Sequence, residues 1–170
     1  MSENASAPGG LALVEALVNT RSLDSDRDAL NTAEGRAAFG IQGIGERELA
    51  AVKELRESLR AVCLAHAGHP PHDDAVTPLG QLLSRAPLLV TVDDQDGSAR
   101  LTAADEGPLL SRVAAAVAEA LTDGTWLRLK ACELPDCHWA YYDRSPAGRR
   151  RWCSMSVCGA RAKMRRYRAK

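Results

Sequence analysis

The 170-residue sequence contains few aromatic residues and no long hydrophobic segment. Aromatic side chains make up 4% of the chain, with a single phenylalanine. No apolar run approaches the roughly 20 residues that a membrane-spanning helix needs. The first ten residues, MSENASAPGG, carry neither the basic start nor the apolar core of a secretory signal peptide. These absences argue against a membrane protein and predict a cytoplasmic location.

Motifs associated with catalysis are missing as well. The chain has no glycine-rich loop that would cradle a phosphate group and no nucleophile motif. Residues 1–125 contain no defensible constellation of catalytic side chains. We therefore predict that the protein is not an enzyme.

The sequence has no net charge, because 22 basic residues balance 22 acidic ones. This balance is a cancellation between two regions: residues 1–127 carry a net charge of −9 and residues 128–170 carry +9. Six of the seven aromatic residues and four of the five cysteines also lie in the last 45 residues. Composition therefore predicts a disordered N-terminus at 1–10, a first domain at 11–125 and a basic module at 126–170.

The spacing of apolar residues predicts a mainly helical first domain with one β-hairpin. Apolar side chains recur at three- and four-residue steps over 46–66 and 107–121, and a shorter helix is expected over 11–20. Two apolar segments, 88–92 and 100–102, flank an Asp-Gly pair that favours a tight turn. Together with the basic module, this pattern predicts an α+β protein.

Four cysteines form two pairs with the same internal spacing. Cys132 and Cys137 make one C-x4-C pair, Cys153 and Cys158 make another, and fifteen residues separate the pairs. This spacing predicts one structural Zn2+ ion held by four thiolates. The alternatives are two disulfides, which a reducing cytoplasm disfavours, and His138 as a competing ligand. Because so short a segment rarely folds unaided, metal binding and folding are expected to coincide.

The elements around these cysteines predict a treble-clef-like zinc finger. Residues 126–131 and 138–143 alternate as strands do, with Arg128 and Lys130 on the polar face of the first strand, and 149–152 are expected to return beside the second. Ser154 or Ser156 can cap a helix that runs to about Arg168, which places Cys158 in its first turn.

The large apolar side chains of the module are assigned to packing. A module this small needs aromatic groups in its core, for which Trp139, Tyr141 and Trp152 are the candidates. On the last helix, Ala160, Met164 and Tyr167 share one stripe and are expected to form its packing face.

Basic side chains cover the rest of the last helix and the turn before the second cysteine pair. Like charges four residues apart destabilise a helix, and a polyanionic partner would offset that repulsion. Arginine outnumbers lysine, which favours phosphate as the partner group. DNA is the preferred partner, and the alternatives are RNA stacked on exposed aromatics or an acidic protein surface such as the first domain. The predicted nucleic-acid contacts are Arg149, Arg150, Arg151, Arg161, Lys163, Arg165, Arg166 and Arg168.

The C-terminal quarter resembles the CGNR zinc finger of bacterial proteins. That finger combines two cysteine pairs with an aromatic-Asp-x-Ser stretch, an RRWCSM-like run and a Cys-Gly-Asn-Arg motif followed by x-Lys. Ala160 stands where the family has asparagine, so this chain lacks any hydrogen bond that the asparagine side chain makes in the family. The matching positions here are Asp143, Ser145, Arg150, Arg151, Trp152, Cys153, Ser154, Met155, Cys158, Gly159, Arg161 and Lys163.

The front of the chain is similar to the ABATE domain, which is usually found before this finger. The segment LALVEALVNT at 11–20 resembles its opening helix, with Asn19 and Thr20 at the characteristic Asn-Thr ending. The combined resemblance implies a stress-related transcription regulator. Its finger would bind DNA, and its front domain would serve dimerisation or signal input.

Overall fold

A computed structural model describes residues 5–69 and 76–169. The α-helices are Leu11–Val18 (α1), Ala33–Ala37 (α2), Glu46–His66 (α3), Leu79–Leu83 (α4), Leu109–Thr122 (α5) and Ala160–Arg168 (α6). The strands pair antiparallel as three hairpins: Arg21–Ser22 (β1) with Arg27–Asp28 (β2), Leu88–Val92 (β3) with Ala99–Ala103 (β4), and Leu129–Ala131 (β5) with Ala140–Tyr142 (β6). This arrangement confirms the α+β prediction.

Helix α3 forms over the residues that the apolar periodicity indicated. At its start the Glu48 carboxylate accepts a hydrogen bond from the backbone N–H of Gly45, at 3.0 Å, which satisfies an amide that the helix itself leaves unpaired. Its face carrying Leu55, Leu59 and Cys63 is buried. The chain leaves the helix through Gly68, whose φ of 87° is the left-handed conformation that glycine adopts readily.

Helices α1, α3 and α5 pack around one aliphatic core. The most completely buried side chains in it include Leu17, Leu30, Leu59 and Val113, none with measurable exposure. Leu129, Ala131 and Ala140, from strands β5 and β6, belong to the same core. The C-terminal module is therefore built directly onto the front domain.

Polar contacts reinforce this junction. The Asn19 side chain forms two hydrogen bonds with the backbone of Ala140, donating to its carbonyl at 2.9 Å and accepting from its N–H at 2.7 Å. Arg60 donates to the carbonyl of His138 at 2.8 Å. The Nδ1 atom of His66 lies 2.8 Å from the carbonyl oxygen of Leu129. These bonds explain why an asparagine ends helix α1.

The strand predicted over 126–131 is only half correct. Residues Trp126–Arg128 form a 3-10 turn, and the strand begins at Leu129. The Trp126 ring packs edge-on against His66, with ring centroids 5.0 Å apart, so the chain turns here before it can extend. Leu127 is consequently 67% exposed instead of facing the core.

Residues 5–10 belong to the segment predicted to be disordered and make specific contacts with the folded chain, and residues 1–4 lie outside the described part. Ala7 is buried, and its backbone N–H donates to the Glu15 carboxylate at 2.6 Å. The carbonyls of Ala5 and Ser6 accept hydrogen bonds from Arg144 at 2.8 and 2.7 Å. Because Arg144 belongs to the finger, these bonds add another contact between the two ends of the chain.

Within residues 5–69 and 76–169, the helices are too short or too polar for any of them to traverse a lipid bilayer.

Candidate metal centre and basic helix

The first cysteine pair lies at the ends of the loop between β5 and β6. The N–H of Cys132 donates to the Trp139 carbonyl at 2.9 Å, which continues the strand pairing for one more residue. The loop then folds back so that the N–H of Cys137 donates to the Leu134 carbonyl at 2.9 Å. His138 has a φ of 47°, a left-handed conformation that reverses the chain into β6. This tight loop brings the Cys132 and Cys137 thiols to one side.

The second cysteine pair lies at the start of the last helix. The Ser154 side chain caps it by accepting from the N–H of Val157 at 3.3 Å, as the sequence predicted for Ser154 or Ser156. The first turn is a π-helix, Met155–Gly159, which continues directly into α6. Cys158 lies in this turn and is buried.

The four thiols converge on one point. The Sγ atoms of Cys132, Cys137, Cys153 and Cys158 lie within 4.8 Å of one another. The Cys137–Cys153, Cys137–Cys158 and Cys153–Cys158 Sγ distances are 3.8, 3.8 and 3.5 Å. A tetrahedron of thiolates with Zn–S bonds of about 2.3 Å has edges of about 3.8 Å. The geometry therefore fits one Zn2+ ion, and these separations are much longer than a disulfide bond of about 2.05 Å.

Neither the competing ligand candidate, His138, nor the fifth cysteine, Cys63, joins this cluster. His138 is not among the four converging ligands, and its backbone carbonyl accepts from Arg60. Cys63 is fully buried in the front domain, where desolvation raises the pKa of its thiol to about 12. Cys63 is thus a protonated core residue and not a metal ligand.

Asp143 organises the polypeptide around the metal centre, a role that spacing alone did not reveal. Its carboxylate is fully buried and accepts hydrogen bonds from the Ser145 N–H and hydroxyl, from the Arg150 N–H at 2.9 Å and from Lys130 Nζ at 3.0 Å. Burial alone would raise its pKa, but the hydrogen bonds from Ser145 and Lys130 outweigh burial and lower the pKa to about 2. The Asp143 carboxylate thus holds the end of β6 to the segment that precedes Cys153.

Two of the predictions for this region are corrected by Asp143. Lys130 was placed on a solvent face with Arg128, but it is buried because its ammonium group pairs with this carboxylate. Residues 149–152 do not form a strand, since the Arg150 N–H is directed to Asp143 and not to a neighbouring strand. The segment is held instead by single bonds, including one from the Tyr141 hydroxyl to the Arg150 carbonyl at 2.6 Å.

The predicted aromatic core is present only in part. Tyr141 is buried and packs with Leu134 and the buried cysteines. Trp152 is partly buried against the same cluster, and the Arg151 guanidinium lies 5.1 Å from its ring centroid. Trp139 is 36% exposed, so the expectation that it lies in the core is wrong. The buried cluster of the finger consists instead of Tyr141, Leu134 and three of the converging cysteines.

The predicted packing face of α6 is also wrong. None of its residues is buried, and Met164 and Tyr167 are 51% and 76% exposed. The metal centre decides the orientation: Cys158 must point inward, and Ala162, one turn later, packs against the same cluster. At 3.6 residues per turn, residues 160, 164 and 167 lie roughly on the opposite side. The apolar stripe of the last helix therefore faces solvent.

The eight predicted nucleic-acid contacts separate into two groups. Four of them have partners within the finger. Arg161 and Arg165 both pair with one carboxylate oxygen of Asp136, Arg151 pairs with Glu133, and Arg150 donates to the carbonyls of Trp152 and Cys153. The side chains of the other four are exposed and make no hydrogen bond or ion pair with any residue that the structure describes. These uncommitted cations are Arg149, Lys163, Arg166 and Arg168.

In the part of the front domain that the structure describes, no acidic side chain forms an ion pair with the basic helix. Among the described residues, the ion pairs of α6 go to Asp136 within the finger, and none joins α6 to residues 5–125. Within residues 5–69 and 76–169, a single contact between side chains of ion-pair type connects the two regions: His69 Nε2 lies 3.5 Å from the Glu133 carboxylate.

The fold and the four-thiol site define a small zinc-finger protein with an attached helical domain. Residues 128–170 match the family described as the CGNR zinc finger. Residues 11–124 match the ABATE family, whose description is "Putative stress-induced transcription regulator". The ABATE match spans more than half of the sequence, so the chain belongs to this family. A comparison with curated proteins finds none that matches.

Proposed function

We propose that this protein is a transcription regulator that binds duplex DNA through α6 and through the basic turn before the second cysteine pair. The observation that carries the proposal is the presence of four exposed cations without partners in the described chain, on and beside a helix with no buried residue. Folding of the chain does not require this cluster of positive charge. Phosphate groups would neutralise it.

The metal has a structural part in this proposal. Four thiolates complete the tetrahedral coordination of Zn2+ and leave no position for a substrate, so we expect no catalysis at this centre. When bound, the ion ties the Cys132–Cys137 loop to the start of the last helix. Asp136 then fixes the helix further through Arg161 and Arg165. The metal site and the Asp136 ion pairs together hold the last helix, and with it the uncommitted cations, in one orientation.

The salt dependence of DNA binding tests the proposal. Four phosphate contacts predict a slope of log affinity against log salt concentration of about −3.6 for the full-length, zinc-loaded chain on duplex DNA. Each of the substitutions Lys163→Gln, Arg166→Gln and Arg168→Gln should reduce the slope by about 0.9. The matched control is Arg47→Gln with Arg85→Gln, two exposed arginines of the front domain, which should leave the slope unchanged. The proposal would be contradicted if the chain did not bind DNA at low salt, or if the finger variants and the front-domain control had equal salt slopes.

A second candidate is single-stranded RNA, which the exposure of two aromatic residues favours. Trp139 and Tyr167 are 36% and 76% exposed, and exposed aromatic rings can stack on unpaired bases. If RNA is the partner, single-stranded RNA displaces duplex DNA, and Trp139→Ala weakens RNA binding more than DNA binding. If DNA is the partner, the RNA competitor has little effect.

Two further expectations belong to this proposal. We expect the protein to act in the cytoplasm, where reduced thiols are available to bind zinc. We also expect the front domain to serve dimerisation or signal input, and the mass of the zinc-loaded chain in solution tests dimerisation.

Docking of the finger on an acidic protein is the competing interpretation. It predicts a complex that forms with the acidic partner and not with DNA.

A further inference from the structure

A groove lies between the β3–β4 hairpin and helix α5, and none of the metal-binding cysteines lines it. Its volume is 780 Å³, within the range of about 300–1,000 Å³ that is typical of small-molecule sites. The lining comes from the hairpin, from α5 and from the start of α1. The groove is a feature of the front domain, to which the DNA-binding proposal assigns no specific contact.

One face of the hairpin is entirely aliphatic. Strand register pairs Val90 with Leu101, and side chains two residues apart share a face. That face consists of Leu88, Val90, Val92, Ala99, Leu101 and Ala103. Val90 is 70% exposed and Leu101 is 43% exposed, so the folded chain leaves much of this face uncovered. Ala115 and Ala116 of α5 line the groove opposite it.

Arg112 supplies the polar feature of the groove. It lies on α5 and is partly buried, and one of its terminal nitrogens donates to the Phe39 carbonyl. Its Nε–H is buried and has no acceptor among the residues that the structure describes. Arg112 itself is among the residues that line the groove, and an anionic ligand oxygen there would form a charge-assisted hydrogen bond with its guanidinium group.

The remaining charged groups of the groove lie at its exposed rim. They are Arg100, Glu106, Glu119 and Asp123. Glu119 already accepts a hydrogen bond from the Gly10 N–H at 3.1 Å. The carboxylates are therefore solvated, whereas the partly buried donor inside the groove is cationic. This difference favours an anionic head group over a cationic one.

We propose that this groove binds a small amphipathic organic acid. Its apolar body would lie on the aliphatic face of the hairpin, and its carboxylate would accept a hydrogen bond from Arg112. The proposal goes beyond DNA binding, because it gives the front domain a ligand of defined chemistry. It is independent of the finger, so either proposal can fail without the other.

Calorimetric titration of the full-length, zinc-loaded protein with decanoate, below its micelle concentration, tests the proposal. We expect one decanoate per chain, and decyltrimethylammonium, which has the same chain length and opposite charge, should bind at least about tenfold more weakly. Arg112→Gln should lower decanoate affinity at least about tenfold, the loss expected for one charge-assisted hydrogen bond. The control Arg85→Gln, at an exposed arginine outside the groove, should leave the affinity unchanged.

A second variant separates ligand binding from damage to the fold. Val90→Asp places a carboxylate on the aliphatic face at a largely exposed position, so it should abolish decanoate binding while far-ultraviolet circular dichroism stays unchanged. The proposal is overturned by any of three results: no decanoate binding, equal affinity for the cationic probe, or unchanged affinity in Arg112→Gln. It is also overturned if a second copy of the chain covers the groove, seen as a dimer that Val90→Asp dissociates and decanoate does not affect.

Discussion

The front domain and the finger reach a folded state by different means. The front domain buries a continuous aliphatic core, in which Leu59 and Val113 have no measurable exposure. The buried cluster of the finger contains three cysteines, Leu134 and Tyr141, so it has a single aliphatic residue. Hydrophobic burial stabilises the first region, whereas metal coordination and the buried Asp143 carboxylate hold the second. The abrupt change in composition near residue 125 reflects this change in the source of stability.

The boundary in composition is not a boundary in packing. Leu129, Ala131 and Ala140 belong to the module by sequence, yet they complete the core of the front domain. Asn19 and Arg60 reach across to the backbone of the same strands. The finger therefore consists of the β5–β6 hairpin, which it shares with the front domain, and a metal-dependent part formed by the Cys132–Cys137 loop and residues 149–169.

Removal of zinc should have the largest effect on folding. It tests directly whether the finger depends on the metal while the front domain does not. Structural zinc contributes on the order of 10–16 kcal/mol of binding free energy in isolated fingers. A chelator, or Cys158→Ser, should therefore unfold the Cys132–Cys137 loop and residues 149–169, and leave the front helices and the β5–β6 hairpin folded. Backbone nuclear magnetic resonance spectra, combined with metal analysis, would resolve the two regions.

The buried thiol outside the metal centre gives the matched control. Cys63→Ala should keep one zinc per chain, because Cys63 lies in the front core and not among the converging thiols. Loss of all helical structure in a single transition on chelation would contradict this prediction, because the two regions would then unfold as one cooperative unit.

Asp143→Asn should produce the next largest effect. Leaving Lys130 buried without its carboxylate is expected to destabilise the protein by about 3 kcal/mol, the range seen when a buried ion pair loses one member. Glu133→Gln removes the partner of Arg151 in a pair that is 58% and 22% exposed, and should change stability by less than about 1 kcal/mol. Urea unfolding of both zinc-loaded variants measures the difference. Equal losses would mean that Asp143 has no special part in holding the finger.

The smallest expected effect is a pH dependence of protein stability that originates from His66, at the junction of the front domain and the finger. Burial lowers the pKa of His66 from its ordinary value of 6.5, so the folded protein favours the neutral ring. Below about pH 6.5 the unfolded chain binds a proton that the folded chain does not, and stability should fall as the pH decreases. His66→Gln, which can still donate to the Leu129 carbonyl, should reduce this dependence in urea titrations at about pH 7.5 and 5.5. An identical pH dependence in both proteins would place its origin elsewhere.

The sequence was sufficient for the features that depend on local periodicity or on exact spacing. Helix α3 follows from its apolar repeat, the β3–β4 hairpin from its Asp-Gly turn, and the metal ligands from two equal cysteine spacings. The outer face of α6 could not be predicted in this way, because the metal and not the apolar pattern decides which side of the helix points inward. The burial of Lys130 was not predicted for a related reason. A charged residue in an alternating strand is expected to face solvent, and only its pairing with Asp143, 13 residues later, makes burial favourable.

The length of α6 has a consequence for recognition. Its nine residues, at 1.5 Å per residue, span about 13 Å, which corresponds to about four base pairs of DNA at 3.4 Å each. If α6 also contacts base edges over this length, a four-base-pair footprint recurs by chance roughly every 256 base pairs, too often for one finger to single out a promoter. Selective control of a gene would then require a second footprint at a fixed distance, supplied by another copy of the chain or by another DNA-binding protein.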